Sequence, residues 1–263
     1  VVVVAWAFLL NWLVFIPSAL TRSERYFDAT GSLTYLTSVL VALGLSLGLA
    51  GAVSAVGAVA GLLVVVWATR LGVFLFRRIA RAGHDGRFDQ LKVSPSRFFI
   101  VWTLQGLWVS LTALAAIVLM TDERALTVSG ITVLGWLLWL AGFAVELVAD
   151  RQKARFRSDP ANAGRFIRSG LWAHSRHPNY LGEILLWTGI FVSGIASYTG
   201  GQWAVAVSPI FVAVLLLRIS GVPMLERRAD ERWGGQPDYE DYKTRTPVLV
   251  PRFWGGQARP PDA

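Results

Sequence analysis

Ser169-Gly170-Leu171-Trp172-Ala173-His174-Ser175-Arg176-His177-Pro178-Asn179-Tyr180-Leu181-Gly182-Glu183 runs without a break into the apolar stretch Ile184-Leu185-Leu186-Trp187. Arginine, histidine, asparagine, tyrosine and a carboxylate therefore crowd the mouth of what reads as a membrane-spanning helix. Polar groups at that depth are costly unless they bind one another or a ligand. Pro178 suits a first helical position, where its missing N–H costs nothing, so the spacing predicts a helix opening near His177.

Composition sets this segment in its class. Of 263 residues, 54% are apolar and 16% charged, against about 25% charged in soluble domains; the mean hydropathy is +0.50. A spanning helix needs about 20 mostly apolar residues. Seven stretches qualify: 1–20, 32–50, 53–76, 98–120, 127–148, 180–198 and 203–224. The expectation is an all-α integral membrane protein: one membrane domain over 1–263, a bundle of seven transmembrane helices with a polar tail at 225–263. Gly44, Gly48, Gly51, Gly57 and Gly61 suit close helix packing. The twelve tryptophans are expected mostly at span ends or facing lipid, as anchors.

Charge gives an orientation. Arg77, Arg78, Arg81, Arg87, Lys92 and Arg97 follow the third stretch, and Arg151, Lys153, Arg155, Arg157, Arg165, Arg168 and Arg176 follow the fifth. The alternate loops are nearly bare, with Asp122, Glu123 and Arg124 in one of them. The positive-inside bias then predicts an outside N-terminus and a cytoplasmic C-terminal tail. The net charge of +8 follows from that bias, so nucleic acid is not an expected partner. Absence of cysteine excludes disulfides and thiol chemistry. His84, in Gly83-His84-Asp85-Gly86-Arg87, reads as a turn with too few neighbours to hold a metal. Val1 in place of methionine reads as a missing start, and no cleavage pattern follows the first apolar run.

The loop before Pro178 holds the chemistry. Asp159-Pro160 and Asn162-Ala163-Gly164 are turn signals. A helix N-terminus offers free N–H groups and partial positive charge, and Arg157, Arg165, Arg168 and Arg176 lie near it in sequence. Several arginines suit a ligand with several phosphates, as in a dinucleotide with a 2′-phosphate. Glu183 follows Asn179 by four residues, and Asp150 follows Glu146 by four, so each pair shares a helix face. These carboxylates either hydrogen-bond a ligand or pair with the arginines.

Asp150, Arg157, Asn162-x-Gly164-Arg165, Gly170-Leu171-Trp172 and Ser175-Arg176-His177-Pro178-Asn179-Tyr180-x-Gly182-Glu183 resemble the C-terminal signature of the steroid 5α-reductase family, above all its bacterial branch, the domain of unknown function 1295. Phe27-Asp28-Ala29-Thr30-Gly31, Arg70-Leu71-Gly72, Leu104-Gln105-Gly106 and Leu217-Arg218-Ile219-Ser220-Gly221 extend the resemblance over nearly the whole chain. It implies seven spans, NADPH bound from the cytoplasmic side, and a bacterial inner membrane. It also implies a cofactor set of Glu146, Asp150, Arg157, Asn162, Arg165, Trp172, Ser175, Arg176, His177, Asn179, Tyr180, Glu183 and Arg218. Glu146 stands where the family has asparagine, and Glu226 near a family tyrosine. Trp67 takes the place of the tyrosine that polarises a steroid ketone, and tryptophan has no phenolic proton.

The implied reaction reduces the C=C of a conjugated enone in a lipophilic small molecule drawn from the membrane lipid. It needs a donor on the carbonyl oxygen as enolate charge develops. Tyr35 and Gln105 are the candidate donors, with Asn11 behind them. Tyr35 also reads as an interfacial aromatic and Gln105 as an interhelical hydrogen bond. Arg-His-Pro-x-Tyr-x-Gly also resembles isoprenylcysteine carboxyl methyltransferases, which bind S-adenosylmethionine, although their paired glutamates are not reproduced around Glu226. A non-catalytic membrane protein is the third reading. Pro237-Asp238-Tyr239-Glu240-Asp241-Tyr242 reads as a solvated tail helix, or as a lid over the cofactor through Tyr239 and Tyr242.

Overall fold

The computed structural model describes residues 1–82 and 88–251; His84, expected in a turn, lies outside the described residues. Those residues are helical, with no strand among them. Five helices are long and apolar enough to cross a membrane, or six if one bent pair is a single span. Contacts divide the chain into two units, Val1–Gly135 with Ile190–Ser208, and Trp136–Gly189 with Pro209–Ala263.

In the first unit, α1 (Val2–Leu20) packs on α4 (Pro95–Thr112) and α2 (Phe27–Ala50), and α2 packs on α3 (Ala55–Ala82). The helices are tied by side chains rather than by apolar contact alone, because lipid is as apolar as leucine. Trp6 Nε1 donates to Thr37 Oγ1 at 2.9 Å, and Trp12 Nε1 to Thr103 Oγ1 at 3.0 Å. Asn11, fully buried, donates through Nδ2 to Thr34 Oγ1 at 3.1 Å. Helix α2 opens five residues earlier than its apolar run. Phe27 packs edge-on against Trp102 and beside Phe88, which fixes the first turn.

Helix α4 and α5 (Leu114–Met120) meet at a bend of 53°. No proline or glycine lies there. Instead Ser208 Oγ donates to the Thr112 carbonyl, and an inserted side chain is a recognised cause of kinks. Gly57 lets α3 and α5 touch: a Cβ added there would lie 2.5 Å from the Leu119 carbonyl oxygen. Gly44, Gly48 and Gly51 face nothing within 4 Å, so the expectation of close packing holds for Gly57 and Gly61 only. The tryptophans also differ from expectation. Trp67, Trp102, Trp139 and Trp187 are among the largest fully buried side chains, filling volume inside the units.

The second unit is built from α6 (Gly130–Ser158), α7 (Pro178–Ser193) and the C-terminal segments. Helix α6 runs ten residues past the apolar stretch, because Arg, Lys and Gln are good helix formers and Arg155 and Arg157 complement the dipole of its last turn. Pro160 ends it by disfavouring helical backbone at Asp159. Gly142 and Gly182 bring α6 and α7 together. A Cβ at Gly142 would sit 2.6 Å from the Gly182 carbonyl oxygen. The last apolar stretch is not one regular helix: a 3-10 turn (Gly200–Ala206), α8 (Val207–Val214) and a π-helical turn (Leu215–Ile219) precede α9 (Val222–Trp233). Helix α10 (Pro237–Arg245) follows.

Candidate functional site: a cationic pocket in the second unit

The loop between α6 and α7 is held by side chains that satisfy its backbone. Asn162 Nδ2 donates to the Phe156 carbonyl at 3.1 Å, and the Leu171 N–H reaches Gln152 Oε1 at 3.0 Å. Buried Trp172 donates through Nε1 to the Ala149 carbonyl at 3.1 Å. Gly164 and Gly170 hold positive φ, at 78° and 60°, where a Cβ would strain the backbone. Trp233 of α9 donates to the Gly164 carbonyl at 2.6 Å.

Helix α10 and the segment after it close over this loop. Arg176 N–H donates to the Pro247 carbonyl at 2.9 Å, and His177 N–H to Val248 at 3.1 Å. Tyr242 hydroxyl donates to the Trp172 carbonyl at 2.7 Å, and Tyr239 hydroxyl to Asp230 at 2.9 Å. Burial pushes both phenol pKa values up, so both stay protonated donors. The α10 segment is therefore no solvated tail: Tyr239 is buried against Phe166 and Trp233.

Between loop, α9 and α10 lies a cavity of about 310 Å³. Lys153, Arg157, Arg165, Arg176, Arg228 and Arg232 line it, with Glu226 as its one carboxylate. Aromatic rings of Phe156, Phe166, Trp172, Trp233, Tyr239 and Tyr242 complete the wall. Lys153 Nζ lies 4.3 Å above the Trp172 ring. Glu226 is doubly engaged, through Oε1 with His177 Nε2 at 2.7 Å and through Oε2 with Arg176 Nη2 at 3.2 Å. Arg176 spends its other arm on the Lys243 carbonyl at 2.9 Å. Such a wall, basic and ring-rich, suits an anionic ligand that carries a flat heterocycle.

Of the residues read from the sequence, Arg157, Arg165, Trp172, Arg176 and His177 meet in this pocket. Ser175 is buried beside it and accepts from the His177 N–H at 3.3 Å. Tyr180 stacks on His177 with ring centroids 5.5 Å apart. Asp150 and Glu146 are buried on α6, and Asn179 and Glu183 half-buried on α7; none of them lines the cavity. Asn162 faces a separate concavity with Gly170. Arg218 is exposed on the π-helical turn.

Tyr35 and Gln105 belong to the first unit. Tyr35 is buried, edge-on to Trp67 at 5.1 Å, with its hydroxyl against Thr112 Oγ1. Thr112 already donates to the Trp108 carbonyl at 2.6 Å, so the tyrosine is the donor of that pair. Gln105 Nε2 donates to the Phe27 carbonyl at 3.1 Å, the interhelical bond foreseen for it. One amide hydrogen of Gln105 remains for another acceptor.

The model of a family described as protein of unknown function (DUF1295) matches residues 14–246. The chain belongs to the DUF1295 family. That range takes in every residue of the pocket. A Delta(14)-sterol reductase of Aspergillus fumigatus is 37% identical over 73 residues, 22% of this chain. This DUF1295 chain spans only 15% of that relative's length. No solved structure matches it.

In this DUF1295 member Arg228 and Arg232 complete the wall from outside the loop motif, and Lys153 is expected from the sequence only as part of the basic loop. The signal available for the two arginines is spacing: Leu225, Arg228, Ala229 and Arg232 recur as one helical face, and all four line the cavity. No group of three or more His, Cys, Asp or Glu able to hold a metal occurs among the described residues.

Proposed function

We propose that this DUF1295 protein is a membrane-embedded, NADPH-dependent reductase of a lipophilic substrate, acting on the C=C of a conjugated enone. The observation that carries the reading is the pocket: six cationic side chains and six aromatic rings around one carboxylate. Phosphates suit the arginines and a nucleobase suits the rings. Asn179 Oδ1, at the head of α7 and outside the cavity lining, is buried without a hydrogen-bond partner, an acceptor for a carboxamide N–H that reaches past the cavity wall. The partial match to a sterol reductase supports the reaction class.

Bound there, NADPH would supply the hydride. The chain's own work is to seat the phosphates on Arg157 and Arg165, to hold the rings against Trp172, and to position the remaining family residues Glu146, Asp150, Asn162, Ser175, Arg176, His177, Tyr180, Glu183 and Arg218. Gln105 and Tyr35 are the proposed donors to the substrate carbonyl, Gln105 with its remaining amide hydrogen and Tyr35 by turning its hydroxyl away from Thr112. The proposal includes one membrane domain with seven spans in a bacterial inner membrane, the arginine-rich loops and tail facing the cytoplasm. Helix α7, with 16 residues, reaches about 24 Å, and the turn after it makes up the rest of the crossing.

Thermal unfolding of the detergent-purified protein with NADPH, NADH and S-adenosylmethionine in parallel tests the reading. NADPH at about 100 times its Kd should add about 2.7 kcal/mol. Stabilisation by S-adenosylmethionine alone would transfer the pocket to methyl transfer. No response to any of the three would leave a non-catalytic membrane protein.

A further inference from the structure

The carboxylates of α9 are all engaged away from the cavity's open rim. Glu226 holds Arg176 and His177; Asp230 holds Lys243 at 2.6 Å and Tyr239; Glu231 faces Arg227 at 3.8 Å. Arg228 and Arg232 are left on the pocket face, exposed at the rim, with no carboxylate within 4.0 Å among the described residues. Arg165, from the loop, lines the same cavity in the same condition. Two like charges four residues apart weaken a helix rather than support it, so α9 gains nothing from this pair in isolation. Arg176, by contrast, is balanced by Glu226 and occupied by the Lys243 carbonyl.

We infer that Arg228 and Arg232, with Arg165 from the loop, form a subsite for a phosphate monoester, and that Arg176 is a structural member of the wall. Resting on the NADPH reading, this assigns selection of the 2′-phosphate to α9. Guanidinium groups suit that role because they present forked donors and stay charged at any working pH. The monoester carries close to two negative charges near neutral pH, which matches a rim with three unbalanced cations better than a single diester would.

The test compares wild type with Arg228→Ala/Arg232→Ala, and with Arg165→Ala, for binding of NADPH, NADH, adenosine 2′,5′-bisphosphate, AMP and inorganic phosphate. Wild type should prefer the 2′-phosphorylated member of each pair. The double variant should lose about 10- to 100-fold of NADPH affinity while NADH affinity moves far less. Arg228→Lys/Arg232→Lys should restore part of the loss, since it keeps charge without the fork. An unchanged NADPH-over-NADH ratio in the double variant would overturn the subsite and leave the dinucleotide reading standing. A wild type that ignores every nucleotide yet responds to inorganic phosphate would overturn the dinucleotide reading and leave the subsite.

Discussion

Glu226 and His177, 49 residues apart in the chain, meet at 2.7 Å between Oε1 and Nε2. The pairing joins α9 to the residue just before α7, and the second carboxylate oxygen takes Arg176 on the way. One acidic side chain thus fixes two adjacent loop residues whose backbone N–H groups are held from the other side by Pro247 and Val248.

Glu226→Gln keeps a hydrogen bond to His177 but removes the charge that balances Arg176. The variant should lose about 1–3 kcal/mol of stability in detergent melts. Its NADPH affinity should rise, since the pocket loses its one carboxylate. Weaker binding together with lower stability would instead make Glu226 a ligand contact.

Tyr242→Phe deletes the hydroxyl that donates to the Trp172 carbonyl and changes little else. About 0.5–1.5 kcal/mol should go, with faster hydrogen exchange across 237–248 than elsewhere. Uniform exchange across the chain would contradict the docking of α10 on the loop.

Glycine substitutions should split by sign. Gly142→Ala pushes a methyl to within 2.6 Å of the Gly182 carbonyl oxygen and the Leu186 nitrogen, both backbone, and should cost about 1–3 kcal/mol. Gly44→Ala meets nothing within 4 Å and should stabilise the fold by roughly 0.4–1 kcal/mol, raising the melting temperature. Equal behaviour of the two would refute the α6–α7 contact.

Acid should release the loop at Asp122. The Arg124 guanidinium hydrogen-bonded to Asp122, helped by Gln202, holds its carboxyl down at about 2. A depressed carboxyl stabilises the fold above its unfolded value near 3.9, and the gain fades as pH falls from about 4 toward 2. Asp122→Asn should flatten the pH dependence of melting in that window. Parallel curves for variant and wild type would argue against it.

Apolar runs of about 20 residues made the membrane class legible, because their hydropathy outweighs every local detail. Pro178 placed the head of α7, and the turn residues placed the loop before it. The opening of α2 was hidden by Asp28, Thr30, Gly31 and Ser32, which look like loop, while Phe27 is fixed by Phe88 and Trp102 from far along the chain. The bend at Ala113 depends on Ser208, 96 residues from Thr112. At the site, Arg157, Arg165, Trp172, Arg176 and His177 were legible because one short loop brings them together. Arg228 and Arg232 were not, since their spacing on one face of α9 does not tell what that face meets until the fold sets it beside the loop.

The carbonyls of Pro247 and Val248 that receive Arg176 and His177 also impose a timetable. The ribosome must add about 70 residues after His177 before those acceptors exist, roughly 4–14 s at about 5–20 residues per second. Throughout that interval the nascent loop stands without its last wall, so the cavity cannot take its final form until Val248 has been added.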